Sequence, residues 1–234
     1  VREILYRWVR FAENLKGRIQ MGGRGSFSKL GKTIDDVLGV SSGTGKVEEI
    51  DTAPFKTLDQ TENLIRNKKR EVLVVFNENG EAIKAYQGDA KSVAFPVAEA
   101  QKWKGCTVTH CHPKGIEGFG GTFSFADMRN ATVFEFGSHR ACAAGQGEKN
   151  YILRTTNKAR PMEFNRRIAA DIPWLRERMH EEVRNVKKAY HDKTGDFKNY
   201  AHALHVARQR SVGFLNRYYR QTAEEYGYVY RTQK

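Results

Sequence analysis

The segment Cys106-Thr-Val-Thr-His-Cys-His-Pro113 carries the most informative sequence pattern for the fold of this chain. Its β-branched residues are typical of a buried strand, and the proline at its end forces the chain to leave the ladder of strand hydrogen bonds. His110 and His112 lie two positions apart, so their side chains share one face of the strand, and Cys111 points to the other. We therefore predict a strand that delivers two imidazoles to one end of a sheet.

A helix is predicted directly downstream, over residues 123–130. Ser124 suits the N-cap and Asp127 stands at N3, an acidic variant of the capping box. One turn into that helix, the Asp127 carboxylate can point back to the end of the strand. Two histidines and one carboxylate leave a fourth tetrahedral position for water, as in catalytic zinc sites. The sequence thus predicts Zn²⁺ on His110, His112 and Asp127.

Proton transfer at such a site needs a carboxylate that is not itself a ligand. Glu71, at the mouth of an apolar run, is the candidate, and Glu81 is the fallback. The Ser124 hydroxyl is predicted to hydrogen-bond the oxyanion of the tetrahedral intermediate. These roles together describe hydrolysis of an amide bond by an activated water.

The other patterns predict an α/β protein with a mixed sheet. Apolar runs bounded by turn residues predict a hairpin over residues 71–87 and strands at 132–137 and 151–154. A short helix is predicted at 98–104. Helical spacing from Ile168 to Val186 and from Tyr200 to Tyr218, interrupted by Thr194-Gly-Asp196, predicts a C-terminal helical hairpin.

Three regions are predicted from these patterns. Residues 1–55 hold an N-terminal helical arm, marked by helical spacing from Leu5 to Leu15, and a Gly/Ser-rich linker; residues 56–160 form the metal-binding domain; residues 161–234 form the hairpin. The segment Ser42-Gly-Thr-Gly-Lys46 departs from the phosphate-binding loop, because Val40 and Val47 occupy two of its key positions.

Composition limits the class of protein further. The net charge of +13 is spread along the chain, with 15 Lys/Arg against 9 Asp/Glu in residues 161–234 and 25 against 18 before them. Spread charge favours non-specific attraction to nucleic acid over a defined reading surface. No apolar stretch reaches the length of a membrane span, and Val1 to Trp8 lacks the pattern of a secretory signal. We expect a cytoplasmic or phage virion-associated protein that does not contact membranes.

The remaining histidines and the cysteines are predicted to be structural. Three cysteines, Cys106, Cys111 and Cys142, are too few for a disulfide framework and fit a reducing compartment. Cys111 is predicted to be a packed thiol. Surface or core roles without a metal are predicted for His139, His180, His191, His202 and His205.

The strings Thr109-His-Cys-His-Pro113 and Ser124-Phe-Ala-Asp127 resemble the JAB/MPN (JAMM) metalloprotease motif, which is His-x-His-Pro, a spacer, and Ser-x-x-Asp. The layout from Glu71 to Asp127 looks most like RadC-like and phage or mobile-element JAB domains. The spacer of 11 residues, 113–123, is longer than is usual in the family, with Gly115 to Gly121 as the inserted part. Loop closure penalises such an extension only weakly.

The resemblance implies a layered core like that of cytidine deaminases, zinc on His110, His112 and Asp127, an oxyanion donor at Ser124 and an acid/base at Glu71. The implied activity is that of a zinc metallopeptidase or isopeptidase acting on a peptide or protein, including isopeptide-linked ones. The alternative is a basic, non-catalytic JAB-like protein that binds nucleic acid or serves a phage-type assembly. The residues do not specify the substrate or the oligomeric state.

Overall fold

The computed structural model describes residues 18–21, 48–113, 121–144 and 149–233. The strands in these ranges are β1 (Arg18–Met21), β2 (Glu48–Glu49), β3 (Val72–Phe76), β4 (Ala82–Gln87), β5 (Val93–Pro96), β6 (Thr107–His112), β7 (Ser138–Ala143), β8 (Lys149–Thr155) and β9 (Tyr228–Gln233). The helices are α1 (Leu58–Arg66), α2 (Val97–Ala100), α3 (Phe125–Val133), α4 (Pro161–His191) and α5 (Tyr200–Glu225).

Seven strands form one mixed sheet in the order β2-β4-β3-β6-β7-β8-β9, and β1 pairs separately with β5. Only the β6–β7 pair of the large sheet is parallel. A parallel pair needs a crossover connection, which α3 supplies between these two strands. The predicted α/β class with a mixed sheet is confirmed.

The sheet is covered on both faces, which explains why β3 is an unbroken apolar run. Val72, Val74 and Phe76 pack with Ile65 of α1 on one face. Leu73 and Val75 belong to the main core on the opposite face, which includes side chains from α3, α4 and α5. Because successive side chains point to opposite faces of the sheet, only every second residue of a strand can contact α3, α4 and α5.

The C-terminal hairpin is present as predicted, but the chain continues beyond it into a strand that the sequence reading did not include. β9 pairs antiparallel with β8 and forms one edge of the large sheet. Gly227 makes the turn into β9 with a φ of +76°. The helical segment is therefore joined to the sheet at both of its ends.

One local prediction was wrong. Residues 132–137 are not a strand: Thr132 and Val133 end α3, and β7 starts only at Ser138. The Thr132 hydroxyl donates to the Met128 carbonyl, which lets a β-branched residue finish the helix, and Phe134 stacks on Phe136 in the turn. Near the N-terminus, Arg18–Met21 is a strand, which lies within the region 1–55 predicted to hold a helical arm and a linker.

Other predictions hold only in part or concern undescribed residues. The helix expected at 98–104 is the four-residue α2, followed by turns. The residues from Leu5 to Leu15, the segment 42–46 and most of the insertion Gly115–Gly121 lie outside the described residues. No helix in the described part of the chain is both long and apolar enough to cross a membrane.

Candidate metal centre

Three ligand side chains predicted from the sequence converge in the structure. The Nε2 atoms of His110 and His112 are 2.8 Å apart. Asp127 places Oδ1 at 3.5 Å from His110 Nε2 and Oδ2 at 3.7 Å from His112 Nε2. All three side chains are fully buried. Within the described residues this is the one cluster of three such ligand groups, and it could hold a metal ion.

The sheet positions the two histidines beside small residues of β7. His110 is opposite Leu73 of β3, which places its side chain on the face of the main core. On the other side, parallel pairing sets His110 beside Ala141 and His112 beside Ala143. The small side chains of Ala141 and Ala143 are therefore the β7 neighbours of the two imidazoles on the face that carries Asp127.

The capping box of α3 positions the third ligand. The Ser124 Oγ accepts a hydrogen bond from the Asp127 amide at 3.2 Å, and Asp127 Oδ2 accepts one from the Ser124 amide at 2.7 Å. Burial by itself would raise the pKa of the Asp127 carboxyl, but the neighbouring His110 and His112 hold that pKa well below its usual value. Asp127 is therefore an anion whose position is fixed by the start of the helix.

The orientation of the His112 ring is also fixed by a residue that is not a proposed ligand. His112 Nδ1 lies 2.7 Å from the Gly121 carbonyl, so Nδ1 carries the proton and donates it. That tautomer leaves a lone pair on Nε2, the nitrogen that faces His110 and Asp127. Orientation of a ligand by its other ring nitrogen is usual in protein metal sites.

His139 was predicted from the sequence to have a role without a metal, yet this residue contacts the site. His139 lies on β7, is fully buried, and places Nε2 at 3.3 Å from His110 Nδ1. Burial lowers the pKa of His139 to about 4, so its ring is neutral near pH 7. Had β7 been placed at residues 138–143, the alternation of His139, Ala141 and Ala143 along one face would have pointed to this position.

The C-terminal elements reach the same neighbourhood, which the sequence did not predict either. The Thr122 hydroxyl lies 2.7 Å from Asn216 Oδ1 of α5 and 2.8 Å from the Tyr230 hydroxyl of β9. Thr122 stands between Gly121, which contacts His112, and Ser124, which begins α3. The hairpin and its final strand therefore hold the segment that shapes the metal centre.

Of the two predicted acid/base residues, the structure places only Glu71 near the centre. β3 and β6 pair antiparallel with Leu73 opposite His110, and continuing that register sets Glu71 opposite His112 on the same face. Glu71 is fully buried. Glu81 is exposed at the other end of β3, where it accepts a hydrogen bond from Asn77.

The cysteines and the four other histidines do not belong to the ligand cluster found among the described residues. Cys111 packs on the opposite face of the sheet from the two histidines, and its Sγ lies 3.2 Å from the Val72 amide. All three cysteines are buried, and none of them forms a disulfide. His180 and His191 lie on α4, His202 and His205 lie on α5, and none of these four belongs to the ligand cluster.

The donor set could hold a metal ion. Ligand atoms about 2.0–2.1 Å from zinc at tetrahedral angles lie roughly 3.3 Å from one another. The Nε2–Nε2 separation of 2.8 Å is shorter than that value, and the separations of 3.5 Å to Asp127 Oδ1 and 3.7 Å to Asp127 Oδ2 are slightly longer. One carboxylate and two imidazoles are also donors that zinc accepts in proteins.

Comparisons of the chain with protein-family models, with curated proteins and with solved structures each return no match.

Proposed function

We propose that this chain is a zinc-dependent hydrolase of amide bonds, a peptidase or isopeptidase of the JAB/MPN type. The observation that carries the proposal is the convergence of His110, His112 and Asp127 on one point. These three residues also occur in the order and local pattern of the JAB/MPN motif. Within the described residues no fourth protein ligand joins them, which agrees with an open coordination position.

Zinc held by these residues would lower the pKa of water toward neutrality and polarise a substrate carbonyl. Glu71 is the residue assigned to proton transfer. Its register position opposite His112 sets the carboxylate on the face that carries the ligands. There it takes a proton from water and later returns it to the nitrogen of the leaving amine.

Ser124 is assigned to the oxyanion that develops on the carbonyl oxygen. Its Oγ already accepts a hydrogen bond from the Asp127 amide, so its hydroxyl hydrogen is available to donate. Ser124 is almost fully buried, and a donor at low dielectric stabilises a developing negative charge more than it would in water.

Glu71→Gln and Glu81→Gln form a matched pair for testing the proposal. We expect the wild-type protein to hold about one equivalent of zinc and to cleave members of a panel of internally quenched peptides and lysine-linked isopeptides. Glu71→Gln should keep the zinc and lose at least about 100-fold in rate, since general acid–base catalysis contributes about that much or more. Glu81→Gln, at the far end of β3, should keep both zinc and activity.

The zinc content of the purified protein tests the proposed site even without a known substrate. A purified protein that binds no zinc, or a His110→Ala variant that retains it, would exclude the proposed site. Equal rates for Glu71→Gln and wild type would leave the metal site in place and remove Glu71 from the mechanism.

A second candidate function is a non-catalytic, basic protein in which zinc stabilises the fold. Complete burial of His110, His112, Asp127 and Glu71 favours it, because a structural ion needs no access for substrate. The net charge of +13 gives such a protein attraction to nucleic acid. Stoichiometric zinc without hydrolysis, together with affinity for duplex DNA that falls steeply with salt, would support this candidate over the enzyme.

A further inference from the structure

His139 lies directly behind one of the proposed ligands. On β7 it pairs with Val108, two residues before His110 on the neighbouring strand, and its side chain lies on the same face of the sheet. Its Nε2 is 3.3 Å from His110 Nδ1. The rings of Phe123 and Phe136 flank it, with centroids at 4.8 and 5.7 Å, so packing restricts its orientation.

The tautomer of His110 determines whether that residue can bind a metal. Nε2 of His110 faces His112 and Asp127, so it must carry a lone pair when it is a ligand. In the neutral ring the proton then resides on Nδ1 and requires an acceptor, because an unpaired buried N–H is costly. Nε2 of His139 is in position to accept it.

We infer that His139 is a positioning residue for the metal centre, which accepts the Nδ1–H of His110 and so holds His110 Nε2 ready to bind the ion. The inference rests on the proposed metal site and extends it by one residue. It gives each histidine ligand an outer partner: the Gly121 carbonyl for His112 and the His139 imidazole for His110.

This arrangement also fixes the tautomer of His139. If Nε2 accepts, the proton of a neutral His139 ring is on Nδ1. A purely packing role would be served equally well by an apolar side chain at this position.

Zinc affinity of the full chain, measured by competition with a chromophoric chelator, tests the inference without any substrate. His139→Gln keeps an acceptor near the place of Nε2, whereas His139→Met has similar length and no comparable acceptor. We expect His139→Met to weaken zinc binding by about 10- to 100-fold, the usual effect of losing an outer partner. His139→Gln should stay close to wild type. His180→Met, on α4 and outside the ligand cluster, should leave the affinity unchanged.

The outcomes separate this inference from the proposed function. Wild-type protein that binds no zinc overturns the proposed site itself, and the His139 role with it. Wild-type protein that binds zinc, with His139→Met binding equally well, overturns the role of His139 alone. The same conclusion follows if His139→Gln loses as much affinity as His139→Met while far-UV circular dichroism shows both variants folded, because packing would then explain the loss.

Discussion

Glu62 and Arg140 form a buried ion pair on the face of the sheet opposite to the metal centre. Arg140 Nε and Nη2 donate to the two Glu62 oxygens at 2.5 and 2.9 Å, and Thr109 and Asn150 donate to the same carboxylate. Glu62 therefore has four hydrogen bonds in compensation for its burial. A network of this kind holds α1 to β6, β7 and β8, where a purely apolar contact would specify the orientation of α1 less strictly.

Removing one partner of this pair should destabilise the protein strongly. We expect Arg140→Met to lower the free energy of unfolding by about 3 kcal/mol or more, because the Glu62 charge would remain buried without its bidentate partner. Arg178→Met is the matched control: Arg178 pairs with Glu181 on the exposed side of α4, and little change is expected. Urea denaturation of the two variants measures both values, and similar losses would contradict the assignment of Glu62–Arg140 as a stabilising buried pair.

The ligands could be predicted from the sequence because their signals are local. His110 and His112 share a strand face by period alone, and Ser124 and Asp127 form a capping box within one helical turn. The outer contacts of the same centre depend on pairing between distant segments. His139 and the Gly121 carbonyl become visible only once the strand register and the loop path are known.

At the scale of elements, α3 combines two roles in its first turn. Ser124 caps the helix and is also the proposed oxyanion donor, so one substitution affects both stability and rate. Ser124→Ala should cost about 1 kcal/mol of stability, as loss of an N-cap commonly does. It should also lower the rate by about 100-fold or more if the hydroxyl stabilises the oxyanion.

Thr57→Ala provides the control for Ser124→Ala. Thr57 caps α1 by accepting a hydrogen bond from the Gln60 amide, and it lies outside the metal centre. The two variants should lose similar stability in chemical denaturation, and only Ser124→Ala should lose activity per folded molecule. Equal relative activity in both would assign Ser124 to capping alone.

The prediction of elements succeeded where periodicity was sustained and failed at chain reversals. The apolar stripes of α4 and α5 extend over many helical turns, and tertiary contacts did not override the helices that they predict. Thr132 to Gly137 has the alternation of a strand, but its aromatic residues pack in a turn that follows α3. β9 is short and follows a long helix, and its pairing with β8 depends on where the hairpin returns.

The turn from α5 into β9 depends on Gly227. Its φ of +76° is unfavourable for other residues, and a Cβ here would lie 2.3 Å from the Lys158 carbonyl oxygen. Gly227→Ala should therefore cost more than about 2 kcal/mol, combining backbone strain with a clash against backbone. Gly80→Ala, at a φ of +80° with open space around the new Cβ, should cost only about 1 kcal/mol. Equal losses in thermal unfolding would show that the close approach of Lys158 and Gly227 is relaxed in solution.

For the whole molecule, the candidate metal centre is a junction between the sheet and the C-terminal hairpin. His110 and His112 belong to β6, Asp127 to α3, and Thr122 connects the intervening loop to Asn216 of α5. An ion bound there should stabilise all of these elements together, because each contributes to the geometry of the site. Stability should thus depend on zinc even if no substrate is ever identified.

Zinc should raise the Tm of the apo protein by roughly 5 to 10 °C when its free concentration is about 100 times Kd. This range follows from the linkage of binding to folding, which contributes about 2.7 kcal/mol at that ratio, and from the usual sensitivity of Tm in chains of this size. EDTA should reverse the shift, His110→Ala should abolish it, and His180→Ala should retain it. Far-UV circular dichroism follows the helices and near-UV signals follow the buried aromatic residues, so a shift seen by one probe only would mean that zinc does not couple the hairpin to the sheet.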